Sequence, residues 1–218
     1  MLDAESKLLV SLVVGPRTGA NTNALLEDFK RRTDGVLPEL ITTDEYDVYR
    51  GAILNTYGVR QEYPRTGLRG RPRNPELAAP QDLVYAMVRK TREQGKVVDV
   101  SIRPVFGTAQ QLKEAVERST VSTHVNTTFV ERYNATVRQH NSRKARKVYT
   151  FSKEFEHHQA MSWFGASYYN FCRPHLGLQT EVHGRRAPAM AAGISDHIWT
   201  LQEFMRYPLI HQSFARVP

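Results

Sequence analysis

Lys7-Leu8-Leu9-Val10-Ser11-Leu12-Val13-Val14 is a mostly aliphatic run bounded by turn residues, the pattern of a buried strand. A tight polar turn, Ala4-Glu5-Ser6, precedes it, with Asp3 immediately ahead. On the other side Gly15-Pro16-Arg17-Thr18-Gly19 breaks the run, and Asn21, Thr22 and Asn23 offer N-caps for a helix carrying Leu25, Leu26 and Phe29 that closes at Gly35. Leu37 to Ile41 then reads as a short strand leading through Thr42 and Thr43 to Asp44, and Tyr46, Tyr49, Ile53 and Tyr57 mark a helix ended by Gly58. Strand and helix in alternation predict an α/β chain, a mixed sheet with helices on its faces. Ligands gather at the carboxyl ends of strands in such sheets, which is where Asp44 falls.

Residues 59–80 are rich in Arg, Pro and Gly and read as a long basic loop. Beyond it, Leu83 to Val88 predicts a further strand, Lys96 to Phe106 extended chain, and Thr108 to Glu117 a helix. Ser122, Thr123 and Asn126 to Thr128 supply caps for a helix that carries Glu131. A long helix is expected from Ser152 to Cys172, with Met161, Phe164, Tyr168 and Phe171 as its apolar stripe and Pro174 as its stop. Trp163, Phe164, Tyr168 and Tyr169 are assigned to the core rather than to a platform for stacking bases. A Pro-initiated helix near Pro188 and an apolar segment around Trp199 to Met205 complete the chain.

With 218 residues, of which 40% are hydrophobic and 24% charged, the chain is long enough to bury a core and has the composition of a folded protein rather than a disordered one. It contains no run of 18 apolar residues and no signal peptide, so it reads as soluble and intracellular. The single cysteine, Cys172, rules out an internal disulfide, and with His175 it makes only half of a zinc motif. The formal charge of +8 is unevenly placed. Arg60 to Arg73 carries five Arg and one Glu, Glu131 to Lys147 six basic residues and one Glu, and the remainder of the chain is close to neutral. Basicity concentrated in two segments points to a polyanionic partner, nucleic acid foremost.

In Val130-Glu131-Arg132-Tyr133-Asn134-Ala135-Thr136-Val137-Arg138, Val130, Tyr133 and Val137 form one helical stripe and Glu131, Asn134 and Arg138 a second beside it. One face is built to pack and the other is left for chemistry. A carboxylate set among Arg132, Arg138, Arg143, Lys144, Arg146 and Lys147 suggests a metal held against a polyanion. Asp3, Asp44 and Glu131 are the candidate ligands, 41 and 87 residues apart. Carboxylates gathered without cysteines or a histidine cluster suit Mg²⁺ or Mn²⁺, and a pair of such ions about 4 Å apart supports in-line phosphoryl transfer. Asp44 has a second reading as a helix cap, and Glu45, Asp47 and Asp99 are assigned to the surface.

Ile41-Thr42-Thr43-Asp44, Phe129-Val130-Glu131-Arg132-Tyr133-Asn134 with Arg138, Tyr168-Tyr169-Asn170-Phe171-Cys172-Arg173-Pro174-His175 and Pro188-Ala189-Met190-Ala191-Ala192-Gly193 closely resemble transposases of the insertion-sequence-one class, in order and over nearly the whole chain. The resemblance implies an RNase H-like (integrase-core) catalytic domain over residues 1–180, including the basic loop, followed by a C-terminal helical tail over 181–218. It implies a DDE triad in which Asp3, Asp44 and Glu131 bind two divalent ions and the protein cuts and joins DNA. Asn134 and Arg138 match polar positions beside the third acid. Arg60, Arg65, Arg69, Arg71, Arg73, Arg132, Asn134, Arg138, Arg143, Lys144, Arg146 and Lys147 are the candidate contacts to transposon ends and target DNA, in a homodimer or higher oligomer at a prokaryotic nucleoid. Only Met1 and Leu2 precede Asp3, so most of the first central strand, which carries the first acid in that fold, and the N-terminal DNA-binding region are expected to be missing. Two other classes fit the composition: an inactive, truncated transposase remnant that binds DNA without catalysis, and an unrelated basic nuclease or nucleic-acid-binding module.

Overall fold

A computed structural model describes residues 1–63, 73–145, 147–180, 182 and 184–212, with backbone alone for 208–212. It is a mixed α/β structure with a small sheet and flanking helices, divided into two units, Gly15–Thr127 and a second made of Met1–Val14 with Thr128–Pro218.

In the first unit, helix α1 (Gly19–Arg32) starts where the Thr18 hydroxyl accepts from the Asn21 N–H, so the cap lies ahead of the Asn21–Asn23 cluster that the sequence offers. Leu26 and Phe29 are its buried apolar residues. Strand β1 (Ile41–Asp44) begins at the end of the predicted strand, and α2 (Val48–Tyr57) buries Ala52, Ile53 and Tyr57. Gly58 does end α2, by room rather than by a left-handed turn: its φ is −62°, and a Cβ there would lie 2.3 Å from the Leu54 carbonyl oxygen. The ends of the basic loop are ordered against each other, β2 (Val59–Gln61) pairing antiparallel with β3 (Glu76–Ala78).

Strand β4 (Tyr85–Glu93) is the centre of the sheet, parallel to β1 on one side and antiparallel to β5 (Lys96–Phe106) on the other. Gln94 and Gly95, both at positive φ, make the two-residue turn whose twist suits a hairpin. Residues 85–88 of β4 are buried and those beyond Arg89 are mostly exposed, so the hairpin runs out past its own core. Helix α3 (Ala109–Arg118) opens with a capping box between Thr108 and Gln111 and lays Leu112 and Val116 over Ala86, Val88 and Val125. The period of two sends Tyr85 and Met87 to the opposite face, where the Tyr85 hydroxyl meets that of Thr43 at 2.8 Å.

The second unit is helical: α4 (Thr128–His140), α5 (Phe155–Phe171), the short α6 (Pro188–Ala191) and α7 (Leu201–Gln212), with 3-10 turns at Ser142–Lys144 and Leu176–Leu178. Its core joins Leu9, Tyr133, Ala166 and Tyr169, with Leu2, Leu12 and Val137 packed against them. Two expectations are corrected here. The stretch 7–14 is not a strand of the sheet; it makes one antiparallel bridge, Leu2 to Leu9, because the Leu9 main chain is taken by a helix side chain instead of a neighbouring strand. The buried face of α5 is Ser162, Ala166 and Tyr169, one position around from the predicted stripe of Met161, Phe164 and Tyr168. Small residues let the N-terminal segment and α4 approach closely, whereas Phe164 meets Phe204 at 5.4 Å and Phe171 meets Trp199 at 4.6 Å. Of the four aromatics assigned to the core, Tyr169 alone is buried; Trp163, Phe164 and Tyr168 are each a little over a third exposed.

Leu26, at 1% exposure, is among the most deeply buried side chains of the first unit. Leu26→Ala is expected to lower the unfolding free energy by about 2–5 kcal/mol, whereas Val98→Thr on the exposed face of β5 should stay within about 0.5 kcal/mol. Urea titrations followed by circular dichroism compare the two.

Candidate carboxylate site and nucleic-acid interface

Asp3 closes the turn that starts the chain. Its carboxylate accepts from the Glu5 N–H at 3.3 Å, from the Ser6 N–H at 2.9 Å and from the Ser6 hydroxyl, the local pattern by which short acidic side chains stabilise turns. The turn delivers Lys7 in the left-handed region at φ 60°, a conformation that costs a side-chain-bearing residue roughly 1–2 kcal/mol. Lys7 is held there by a hydrogen bond from its ammonium to the Ala4 carbonyl and by the ring of Phe129, 3.7 Å from the ammonium to the ring centre. Burial pushes its pKa down, Asp3 and Glu5 oppose that, and Arg132 adds to it.

Asn170 fastens the next residues. Its amide oxygen accepts from the Leu9 N–H and its NH₂ donates to the Leu9 carbonyl, both at 2.9 Å, so a side chain in the last turn of α5 does what a paired strand would do. Sequence reading passed over this residue; the available signal is an amide in a run of aromatics, Tyr168-Tyr169-Asn170-Phe171, on a helix that packs. Tyr133 and Tyr169 cross edge to face at 4.9 Å beneath it, and burial raises the pKa of each to about 12.

Glu131 stands in the first turn of α4, where the helix dipole favours an acid. The two-stripe reading of this helix holds in part. Tyr133 is buried, Glu131, Arg132, Asn134 and Arg138 are exposed, and Val130 is exposed with them at 39%. Arg143 and Lys144 lie in the following 3-10 turn, with the Lys144 pKa lowered by burial, and Lys147 is exposed.

Asp44 sits at the carboxyl end of β1 in the other unit. It is not a cap: the N-cap of α2 is Asp47. Arg17 grips both Asp44 oxygens at 2.9 and 2.8 Å while its guanidinium lies 4.1 Å from the centre of the Tyr46 ring and the Tyr46 hydroxyl donates to the Arg17 carbonyl. Both partners are more than half exposed, so the pair is worth about 0–1 kcal/mol and exchanges readily. Of the rivals, Glu45 faces Arg89 at 3.5 Å and Asp99 is exposed on β5. Arg60 pairs with Glu62, and Arg73 with Glu76. Arg65, Arg69, Arg71 and Arg146 lie outside the described residues.

The donor chemistry of Asp3, Asp44 and Glu131 is that of a hard divalent ion. Among the described residues no group of three or more His, Cys, Asp or Glu gathers to hold a metal; Asp3 and Glu131 belong to one unit and Asp44 to the other. Also among them, no helix is long and apolar enough to cross a membrane. Comparison with protein-family models, with curated proteins and with solved structures finds no match.

Two outcomes follow. Asn170→Leu leaves the Leu9 N–H and carbonyl unpaired in a half-buried place and is expected to destabilise the protein by about 1–3 kcal/mol, measured by urea unfolding. Cys172 is buried, and its thiol pKa is raised by burial first and by Glu203 second. At pH 8 the folded chain therefore holds less thiolate than the unfolded one, and iodoacetamide should label Cys172 more slowly without urea than with it.

Proposed function

We propose that this chain is the catalytic region of a DNA transposase of the insertion-sequence-one class, built on an RNase H-like core, in which Asp3, Asp44 and Glu131 bind Mg²⁺ or Mn²⁺. The observation that supports the reading is the shared core of one unit. Three segments distant in sequence, the Asp3 turn with Leu2 and Leu9, the Glu131 helix with Tyr133 and Val137, and the α5 block with Tyr169 and Asn170, pack on one another and leave Glu131, Asn134 and Arg138 exposed on one helix. Two of those segments are blocks of the transposase resemblance, and the third carries its first acid.

In this reading the divalent ions, when bound, lower the barrier to attack of a water or a 3′-hydroxyl on a phosphodiester. The protein's own residues do the rest. Asn134 and Arg138 hold the DNA strand beside Glu131, Arg132 and the basic turn at Arg143 and Lys144 neutralise neighbouring phosphates, and Asp44, paired with Arg17, would be one of the residues to hold the metal. The substrates are transposon ends and target DNA, the working form a homodimer or larger assembly on DNA in a prokaryotic cytoplasm.

A second reading, a non-catalytic transposase remnant that binds DNA, draws on the hydrogen bonds around the acids: Asp3 is engaged by its own turn and Asp44 by Arg17. Cleavage and strand transfer on labelled duplexes in Mn²⁺ separate the two. Catalysis by this chain, lost by more than about 100-fold in Glu131→Gln and Asp44→Asn, supports the enzyme. Salt-sensitive DNA binding with no cleavage by this chain supports the remnant. Cleavage that survives both substitutions removes the triad.

A further inference from the structure

We propose that the free edge of β5 pairs with the same edge of a second copy of this chain, antiparallel about Ser101, so that two three-stranded sheets join into one. The proposal goes beyond the reading above, because it holds whether or not the chain cuts DNA.

Strand order β1-β4-β5 gives β5 a partner on one side only among the described residues. Such a strand presents a row of unpaired N–H and C=O groups, and folded proteins blunt these edges with bulges, prolines and charges. In β5 the bulges are kept to the ends. Register shifts fall between Thr91 and Arg92 and between Tyr85 and Ala86, and Pro104 stands at the second of them. Between the shifts, Asp99 to Pro104 pairs residue for residue with Thr91 to Ala86. All six residues of that regular stretch are exposed, including the β-branched Val100 at 51% and Ile102 at 41%.

The order of side chains along this stretch says what covers it. The period of two puts Val100 and Ile102 on one face and Asp99, Ser101 and Arg103 on the other. Asp99 and Arg103 are about 13 Å apart along the strand, too far to pair with each other. On β4 they face Thr91 and Met87, neither of which answers a charge. A second β5 turned antiparallel about Ser101 sets Asp99 of each copy opposite Arg103 of the other, Val100 opposite Ile102, and Ser101 opposite itself. Directly opposite residues are the ones whose side chains interact in a sheet, so the contact gains two ion pairs and two aliphatic pairs. Moving the axis to Val100 or to Ile102 sets one charge opposite Ser101 and the other opposite a valine, so the charges select one register. The pattern is its own complement, as a two-fold contact between identical chains requires, and this favours a second copy over an unrelated strand.

The test uses the full chain without DNA, in analytical ultracentrifugation over a wide range of concentration. The parent is expected to dimerise. Asp99→Arg places two Arg–Arg pairs across the contact and Arg103→Asp two Asp–Asp pairs, and each should weaken the dimer by about tenfold or more. Combining the two exchanges restores opposite charges and should return the affinity close to that of the parent. Both positions are exposed, so circular dichroism should show every variant folded like the parent. A parent that stays monomeric at every concentration overturns the proposal. A dimer that the single exchanges leave unchanged, or that the double exchange fails to restore, is formed by another surface and overturns it too. Neither residue is among the candidate metal or DNA ligands and nothing is cleaved, so failure of the carboxylate triad and failure of this contact are read separately.

Discussion

One amide holds the helical unit to the start of the chain. The Asn170 side chain gives Leu9 both hydrogen bonds that a strand neighbour would give, across 161 residues of sequence. Leu9 in turn is buried with Tyr133, Ala166 and Tyr169, and the same short segment brings the Asp3 turn and Lys7 to α4. Buried backbone groups must find partners, and here one side chain at the end of a long helix meets that demand. Placement of the acid, the lysine and the exposed face of α4 all depends on it.

The two candidate acids whose partners are known in atomic detail are held in different ways. Asp3 is used locally, by the N–H groups and hydroxyl within three residues of it, so its orientation is a property of the turn. Asp44 is used at a distance, by an arginine 27 residues earlier whose guanidinium also lies on Tyr46. An exposed ion pair of this sort is weak in water and strongly dependent on salt, whereas a turn carboxylate is not displaced without rebuilding the turn. The chemistry proposed for this chain therefore asks more of Asp3 than of Asp44.

Much of the secondary structure was legible because it rests on local physics. The span Lys96–Phe106 emerges as the strand the composition predicts, Thr108 caps the helix that follows, and Pro188 starts the short helix expected near it. The errors fall where partners are remote. The aliphatic run at 7–14 has a strand's composition, but only the position of Asn170 decides that it is clasped by a helix. The stripe on α5 was misplaced by one residue because hydrophobicity favours Phe164 and Tyr168, while close approach favours Ser162 and Ala166. Lys7 was passed over, since nothing in a lysine's immediate sequence announces that it will be buried on a ring.

By itself the sequence determined which residue types are available and where helices and turns start: acids at 3, 44 and 131, two concentrated basic segments, and an α4 that pairs a buried tyrosine with exposed polar residues. Those properties follow from side-chain chemistry and the 3.6-residue period, which act within a few residues. Tertiary structure alone decided that Asp44 is answered by Arg17, that Leu9 is answered by Asn170, and that Lys7 lies on the ring of Phe129. Electrostatic and hydrogen-bond partners are chosen by distance in space, and distance in space is set by packing between segments that the order of residues leaves far apart.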